Sequence, residues 1–322
     1  MARRPVWSLQ LALPVVGLLL AAAVLVYPHL RHHELASRGA SPTQRDRYAS
    51  VKASCGELCE TALAGEPGRF FPTVQRAVDC NALFENRDVD APRESERAPE
   101  GVPNEWLSDY TMQGRVALYR YGRGILDNRY LGTTAMSSQW SQTLIDDWID
   151  QARRGVLRGT YGVEETNILM QSLHDAGVQG MKRALVIGSE IPWVEALCLA
   201  AGIEHVTTLE YGAIVSEHPS VATMTPDTFR QAQLQGKLEP FDAIVTYSSV
   251  EHAGLGRYGD ALNPFGDLIA IARGWCVAKP GAVLVIGVMY GKDAVEFNAH
   301  RVYGPVRYPC KFRELLLRSI PG

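Results

Sequence analysis

The sequence predicts an α/β fold with a mostly parallel sheet, and two observations lead to this prediction. First, residues 183–210 run from a short apolar segment through a turn at Gly188 and a helical pattern to a second apolar segment. That order forms a βαβ unit, in which the two strands lie parallel with a right-handed crossover. Second, residues 241–247 and 282–288 are further continuous apolar runs, which are typical of strands buried on both faces.

Individual residues within the first βαβ unit support this interpretation. Pro192 falls in the first helical turn, where proline is tolerated because that N–H has no intrahelical partner. Gly188 and Ser189 form the turn, which places backbone N–H groups at the carboxyl end of the first strand. Glu210 ends the second strand about 20 residues after the glycine, where an acid usually holds the hydroxyl groups of a ribose. The unit therefore predicts a Rossmann-like site for a nucleotide-type ligand.

A second group of polar residues follows the strand predicted at 241–247. Glu251 and His252 come just after that strand. A glycine-rich loop then carries three further polar side chains, Arg257, Tyr258 and Asp260. Open α/β sheets bind ligands at the carboxyl ends of their strands. We therefore expect Glu210, Glu251 and His252 at the same edge of the sheet.

The composition excludes some classes of function. The chain has 322 residues, enough for one α/β domain and an additional segment, and its formal net charge is −3. This charge, without a basic stripe interleaved with aromatic residues, argues against a nucleic-acid partner. The sequence has neither a CxxC pair nor a cysteine–histidine spacing typical of zinc, so no metal site is predicted.

The cysteines fall into two groups. Cys198 and Cys276 lie on the apolar faces of predicted helices, and both are predicted to be core residues. Cys55 and Cys59 are four residues apart, so they share one face of a predicted helix. Either of these two can pair with Cys80 if the compartment is oxidising, and free thiols are the alternative.

Residues 6–27 form an almost unbroken apolar stretch that follows Arg3 and Arg4. A helix of roughly 20 such residues crosses the core of a lipid bilayer. We therefore expect a single-pass signal anchor whose partner is the bilayer, with the main domain in the lumen of the secretory pathway. A cleaved signal peptide is the alternative, although the apolar run exceeds the roughly 7–15 residues of a signal-peptide core.

The chain divides into four predicted regions. These are a transmembrane anchor at 1–30, a stem and linker at 31–103, a helical and irregular lead-in at 104–163, and the α/β domain at 164–322. Residues 86–103 are charged and proline-rich without an apolar period, so they are predicted to form an exposed linker. Asp88 and Asp90 lie within it, and since no apolar strand precedes them we expect solvated charges.

Taken together, the strands and their ends resemble a class I S-adenosylmethionine-dependent methyltransferase. The resemblance spans about residues 164–290. It is carried by Val186-Ile187-Gly188-Ser189, Glu210, Phe241-Asp242-Ala243-Ile244 with Val250-Glu251-His252, and Lys279-Pro280-Gly281-Ala282-Val283-Leu284. It implies a Rossmann-like, methyltransferase-like sheet.

Three longer stretches are similar to a Caenorhabditis-type family of unknown function, which implies the same fold without an assigned reaction. The stretches are residues 187–195 (IGSEIPWVE), 248–260 (SSVEHAGLGRYGD) and 297–304 (FNAHRVYG). Two departures from the methyltransferase pattern accompany them. Glu190, Pro192 and Trp193 stand in the first loop where further glycines are usual, and the last two strands of the sheet look incomplete.

The methyltransferase resemblance implies roles for the residues at the sheet edge. The residues expected to bind S-adenosylmethionine are Gly188, Ser189, Glu210 and Glu251. The substrate-binding candidates are Arg257, Tyr258 and Asp260. His252 is the first candidate for a catalytic base and His300 the second, because imidazole titrates near neutral pH. For each histidine a structural role is the alternative.

Two functions are consistent with the sequence. The first is a membrane-anchored methyltransferase that acts on a glycan or another small-molecule acceptor of the secretory pathway. The second is a non-catalytic methyltransferase-like module that binds a ligand or partner at a membrane. The first-loop residues Glu190 and Trp193 favour the second, whereas Glu210, Glu251 and His252 together favour the first.

Overall fold

The computed structural model describes residues 36–37, 39–63, 70–95, 97–120 and 138–307. The predicted transmembrane anchor at residues 6–27 lies outside the described residues. Among the residues that are described, no helix is both long enough and apolar enough to cross a bilayer.

Strands and helices alternate through the second half of the chain. In chain order the described strands are β1 (Ala36–Ser37), β2 (Val102–Pro103), β3 (Ala117–Arg120), β4 (Ser138–Trp140), β5 (Arg183–Ile187), β6 (His205–Leu209), β7 (Ile214–Ser216), β8 (Val221–Met224), β9 (Phe241–Tyr247), β10 (Ala278–Gly287), β11 (Ala294–Phe297) and β12 (His300–Val302). The described α-helices are α1 (Pro42–Cys55), α2 (Phe70–Ala77), α3 (Cys80–Glu85), α4 (Leu107–Tyr110), α5 (Gln142–Arg153), α6 (Val163–Asp175), α7 (Trp193–Ala200), α8 (Pro226–Leu234) and α9 (Gly266–Cys276).

A parallel sheet with the spatial order β10–β9–β5–β6–β8 forms the centre of the molecule. From β5 the chain adds β6 and β8 on one side, and it then returns to add β9 and β10 on the other. The direction of addition reverses between β5 and β9, and ligands of open α/β sheets bind at such a reversal. The mostly parallel α/β fold that the sequence predicts is confirmed.

Alternate residues of the central sheet point into two apolar layers. Ala184 and Val186 of β5 pack in a cluster with side chains of α5, α6 and α7. Leu185 and Ile187 pack on the opposite face, with side chains of α3, α8 and α9. Because both faces are covered, the strands are continuous apolar runs in the sequence.

After β10 the chain leaves the central sheet. Strand β11 pairs antiparallel with β12 and parallel with β3, which forms a separate three-stranded sheet. Within the described residues the central sheet therefore ends at β10, without the two further strands of the methyltransferase pattern. Strand β12 begins at His300 and lies against residues 250–252, which follow β9.

Residues 87–95 pack on the α/β domain, although the sequence predicted an exposed linker there. The N–H of Arg93 donates to the carbonyl of Gly259 at 2.7 Å. The side chain of Asp90 is only 12% exposed, and it forms an ion pair with Arg273 at 2.5 Å. The prediction of a solvated charge is therefore wrong for Asp90, because its partner lies on α9, far along the chain.

Two disulfides join cysteines of the described residues. Cys80 on α3 bonds to Cys276 on α9, which ties the N-terminal segments to the α/β domain across a separation of 196 residues. Cys55 bonds to Cys59, so the predicted pairing of one of these two with Cys80 is wrong. Cys276 was predicted to be a simple core residue, and this is wrong because it is disulfide-bonded. The prediction is confirmed for Cys198, which is buried and forms no disulfide within the described residues.

Candidate functional site

A cavity of about 310 Å³ opens at the carboxyl ends of β5, β6 and β9, where the strand order reverses. Small-ligand pockets occupy roughly 300–1,000 Å³, so this volume suits one small molecule. The wall includes residues that follow each of the three strands, namely Gly188 and Ser189, Glu210 and Tyr211, and Ser248 and His252. Among the described residues, no three acidic, histidine or cysteine side chains are grouped to hold a metal ion.

The turn after β5 requires glycine at position 188. Gly188 has a φ of +78°, and a Cβ at this position would overlap the side chain of Ser249. Its N–H donates to the carbonyl of Leu209 at 2.9 Å, which holds the turn against the end of β6. Both the backbone conformation and the close approach therefore exclude a side chain here, and backbone is exposed to the cavity instead.

Glu210 lies in the cavity wall at the end of β6, as predicted. Its Oε2 accepts a hydrogen bond from the N–H of Ser189 at 2.9 Å, and its Oε1 accepts one from the N–H of Tyr211 at 2.7 Å. These bonds fix the carboxylate beside the glycine turn. An ionised carboxylate is an acceptor-only group, so hydroxyl groups of a ligand are suitable donors to it.

Glu195 supports the same turn from beneath, and the sequence analysis did not single it out as a site residue. Its carboxyl group is completely buried, 2.9 Å from the hydroxyl of Ser189 and 2.7 Å from that of Thr208. Burial raises the pKa of Glu195 to about 7. An acid inside the apolar pattern of α7 was the signal for it, because such a residue needs polar partners once buried.

Trp193 and Glu190 leave the cavity open. The indole of Trp193 is 4% exposed and belongs to the apolar core cluster at the cavity wall. It packs edge-on against Tyr247, with ring centroids 5.2 Å apart, and a Cβ on Gly159 would lie 2.5 Å from the ring. Glu190 is exposed to solvent. The unusual first loop therefore shapes the wall without filling the pocket.

His252 lines the cavity, and one of its two ring nitrogens is engaged in a hydrogen bond. Its Nδ1 lies 2.5 Å from the carbonyl oxygen of Ala299. Because a carbonyl only accepts, Nδ1 carries the proton and Nε2 has a free lone pair. Burial lowers the pKa of His252 to about 4, so the imidazole is neutral at pH 7. The neutral imidazole presents Nε2 as a proton acceptor, and its lowered pKa makes it a weak base in the free protein.

Glu251 and His300 are the two predicted site residues that do not line the cavity. Glu251 is completely buried, and neither carboxylate oxygen makes a hydrogen bond within the described residues. Burial raises the pKa of Glu251 to about 7. His300 stands behind His252, with ring centroids 6.3 Å apart, and burial followed by the charge of Arg257 lowers its pKa.

The loop after β9 brings Arg257 and Tyr258 to the cavity wall. Asp260 holds the loop in shape, since its Oδ2 accepts the N–H of Gly254 at 2.6 Å and its Oδ1 accepts that of Tyr258 at 3.2 Å. The carboxylate is 4% exposed and engaged with its own loop. Asp260 is thus placed to position the two neighbouring side chains.

Comparison with known proteins places this geometry in a family context. Residues 181–315 match the family described as Caenorhabditis protein of unknown function, DUF268. The match covers less than half of the chain, and it includes all three stretches that carry the predicted resemblance, which is confirmed. Among curated proteins, none matches this chain.

A solved structure with a partial likeness is described as fresh crystals of HcgC from Methanococcus maripaludis cocrystallized with SAH and pyridinol. The identity is 13% and the TM-score 0.26, and the likeness covers 51% of this chain and 53% of HcgC, about half of that protein's length.

Arg301, in the third stretch similar to the DUF268 family, explains how the loop after β9 is held. The side chain is completely buried, and it donates to the carbonyls of Ala253 at 2.5 Å and Asn263 at 3.2 Å. It also lies 3.7 Å from Asp267, which is equally buried. Both ends of the loop are thereby fastened to β12. The sequence analysis missed this role, because the partners of Arg301 are backbone carbonyls that no side-chain pattern reveals.

Proposed function

We propose that the cavity binds S-adenosylmethionine and that the protein is a methyltransferase with a Rossmann-like, methyltransferase-like sheet. The observation that carries the proposal is the fixed carboxylate of Glu210, which faces the cavity beside the Gly188 turn at the reversal of the strand order. A ribose with two free hydroxyls matches such a carboxylate. The glycine turn supports the fit, because Gly188 contributes only backbone to the cavity wall.

Different residues of the cavity wall serve ligand binding and proton transfer. S-adenosylmethionine, when bound, would supply an electrophilic methyl group to an acceptor oxygen or nitrogen. Glu210 holds the ribose hydroxyls, and the turn at Gly188 and Ser189 fixes the position of that carboxylate. His252 accepts the acceptor's proton at Nε2, while its Nδ1–H remains bonded to Ala299. The protein thus supplies orientation and one base.

Calorimetric titration of S-adenosylhomocysteine into the full-length chain tests the cofactor proposal. We expect micromolar binding, weakened at least tenfold in Glu210→Ala, since hydrogen bonds to a charged group contribute about 1.5–3 kcal/mol. Glu239→Ala is the matched control, because that side chain is 73% exposed and paired with Arg183. Absence of binding, or equal affinity in Glu210→Ala and wild type, would contradict the proposal.

A non-catalytic ligand-binding module is the second candidate function. It is supported by the first loop, where Glu190 stands at the cavity wall in place of the further glycines of the methyltransferase pattern. The two candidates differ in turnover. A protein that binds S-adenosylhomocysteine but never converts S-adenosylmethionine into it, whatever acceptor is offered, is a binding module.

We further propose that the protein is membrane-anchored through residues 6–27, with the α/β domain in the secretory lumen and a glycan or another small molecule there as acceptor. The disulfide between Cys80 and Cys276 supports an oxidising compartment. Peptide mapping under non-reducing conditions tests this on protein recovered from cell membranes. A Cys80–Cys276 linked peptide is expected, and reduced thiols or recovery only in the cytosol would rule the location out.

A further inference from the structure

Arg257 places a positive charge in the wall of the cavity, next to the proposed base. Its guanidinium carbon lies 4.8 Å from the centre of the Tyr258 ring, a cation–π arrangement. The ring of Tyr258 in turn packs edge-on against His252, with centroids 5.3 Å apart. The three side chains thus form one wall, in which the tyrosine ring contacts both the guanidinium and the imidazole.

No carboxylate neutralises Arg257 in the part of the chain that the structure describes. Three acidic groups of the cavity wall are engaged with other partners, and Glu190 forms no ion pair with Arg257 within the described residues. Asp260 accepts N–H bonds from its own loop, Asp90 pairs with an arginine of α9, and Glu210 accepts two backbone N–H groups. Among the residues that the structure describes, the buried Nε of Arg257 has no hydrogen-bond partner.

An unpaired and partly buried guanidinium is costly, because arginine is rarely taken out of water without an anion. The planar fork of arginine matches the two oxygens of a carboxylate or phosphate group. The tyrosine ring restricts the orientation of that fork, so less freedom is lost when an anion binds. The lowered pKa of both His252 and His300 has burial as its main cause and the charge of Arg257 as a further one, which agrees with a guanidinium close to both rings.

We propose that Arg257 binds an anionic group, a carboxylate or a phosphate, on the methyl acceptor. The anion fixes one end of the acceptor, and the atom to be methylated then lies beside Nε2 of His252. This inference rests on the proposed methyltransferase function and adds the substrate class to it, namely acceptors with a negative charge. Neutral acceptors of the same shape are bound less well, since they leave the guanidinium unpaired.

Titration of two simple anions, inorganic phosphate and acetate, tests the inference on the full-length chain saturated with S-adenosylhomocysteine. We expect at least one of them to bind in the millimolar range, and the stronger of the two identifies the anion class. In Arg257→Gln that affinity falls about tenfold or more, in line with the loss of a charge-assisted pair. The affinity for S-adenosylhomocysteine stays unchanged. The matched control is Arg154→Gln, an exposed arginine at the end of α5, which leaves both affinities unaltered.

Three results would overturn the inference. The first is that neither anion binds to wild-type protein that does bind S-adenosylhomocysteine. The second is equal anion affinity in Arg257→Gln and wild type. The third is a loss of S-adenosylhomocysteine affinity in Arg257→Gln, which would assign the guanidinium to the cofactor's own carboxylate. Failure of the wild type to bind S-adenosylhomocysteine would instead refute the cofactor proposal, so the two failures are distinguishable. Equal thermal stability of the variants shows that each is folded.

Discussion

The residues of the cavity owe their chemistry to burial more than to their identity. His252 is 9% exposed, and its Nδ1 is committed to the carbonyl of Ala299, so the ring stays neutral and presents Nε2. Glu195 and Glu251 are completely buried, and for both burial raises the pKa to about 7. One imidazole and two carboxyl groups are therefore all shifted toward their uncharged forms. Proton affinity in this region is set by desolvation.

Stability at acid pH provides a test of the buried imidazole. Because the folded-state pKa of His252 is about 4 and the usual value is 6.5, the unfolded chain binds the proton first as the pH falls. The contribution of His252 is present above pH 6.5 and is lost between 6.5 and 4. From pH 6.5 to 4.5 the wild type is expected to lose about 2 kcal/mol more unfolding free energy than His252→Asn, measured by urea denaturation.

Two features make this comparison specific. Glu195 and Glu251 act in the opposite direction. Because their pKa values are raised, their contribution to the stability of the fold is lost as the pH rises from 4.5 to about 7. They are present in both proteins, so their effects cancel in the difference. His205→Asn is the matched control, because His205 is exposed. If His252→Asn and His205→Asn show the same pH dependence, the imidazole is not buried as described.

At the scale of elements, the site is built where strands end and turns begin. The turn between β5 and α7 supplies backbone groups, the end of β6 supplies Glu210, and the loop after β9 supplies His252 and Arg257. Strand β12 holds that last loop through Arg301. The guanidinium of Arg301 donates hydrogen bonds to backbone carbonyls at both ends of the loop. The rigid sheet thus positions the turns, and a separate small sheet positions the longest loop.

Alanine substitution at two glycines measures how tightly the first turn is packed. Gly188 and Gly177 both have a positive φ, +78° and +71°, but only a Cβ at position 188 meets other atoms. Gly177→Ala is expected to lose about 1 kcal/mol from the left-handed conformation alone. Gly188→Ala is expected to lose about 2 kcal/mol or more, because the side chain of Ser249 must also move. Equal losses in urea denaturation would show that the turn has room for a side chain.

At the scale of the whole molecule, the N-terminal segments pack against the α/β domain and are bonded to it. Two contacts join the N-terminal segments to α9. They are the disulfide from Cys80 to Cys276 and the ion pair of Asp90 with Arg273. Asp90 also contributes to the cavity wall. The segment before the central sheet is therefore part of the site and more than a spacer.

Sequence reasoning succeeded where the relevant residues are close in the chain. Gly188 and Glu210 belong to one βαβ unit, whose spacing alone brings them together. It failed for Asp90 and Cys276, because their partners are set by tertiary packing and no local pattern encodes it. Composition around Asp90 predicted solvent exposure, and only the fold supplies the arginine that pairs with it.

A similar limit applies within the loop after β9. Arg257 and Asp260 are three residues apart and were predicted to share a role in substrate binding. In the structure Asp260 is engaged with its own loop, whereas Arg257 remains available at the cavity. The direction in which each side chain points depends on the positive φ angles of the loop glycines, which residue types alone do not define.

The most direct measurement is a crystal structure of the full-length protein with S-adenosylhomocysteine. We predict that the ribose hydroxyls lie within hydrogen-bond distance of the Glu210 carboxylate and that the sulfur is turned toward His252 and Arg257. A complex in which the ligand lies outside this cavity, or in which Glu210 makes no contact with the ribose, would contradict this prediction.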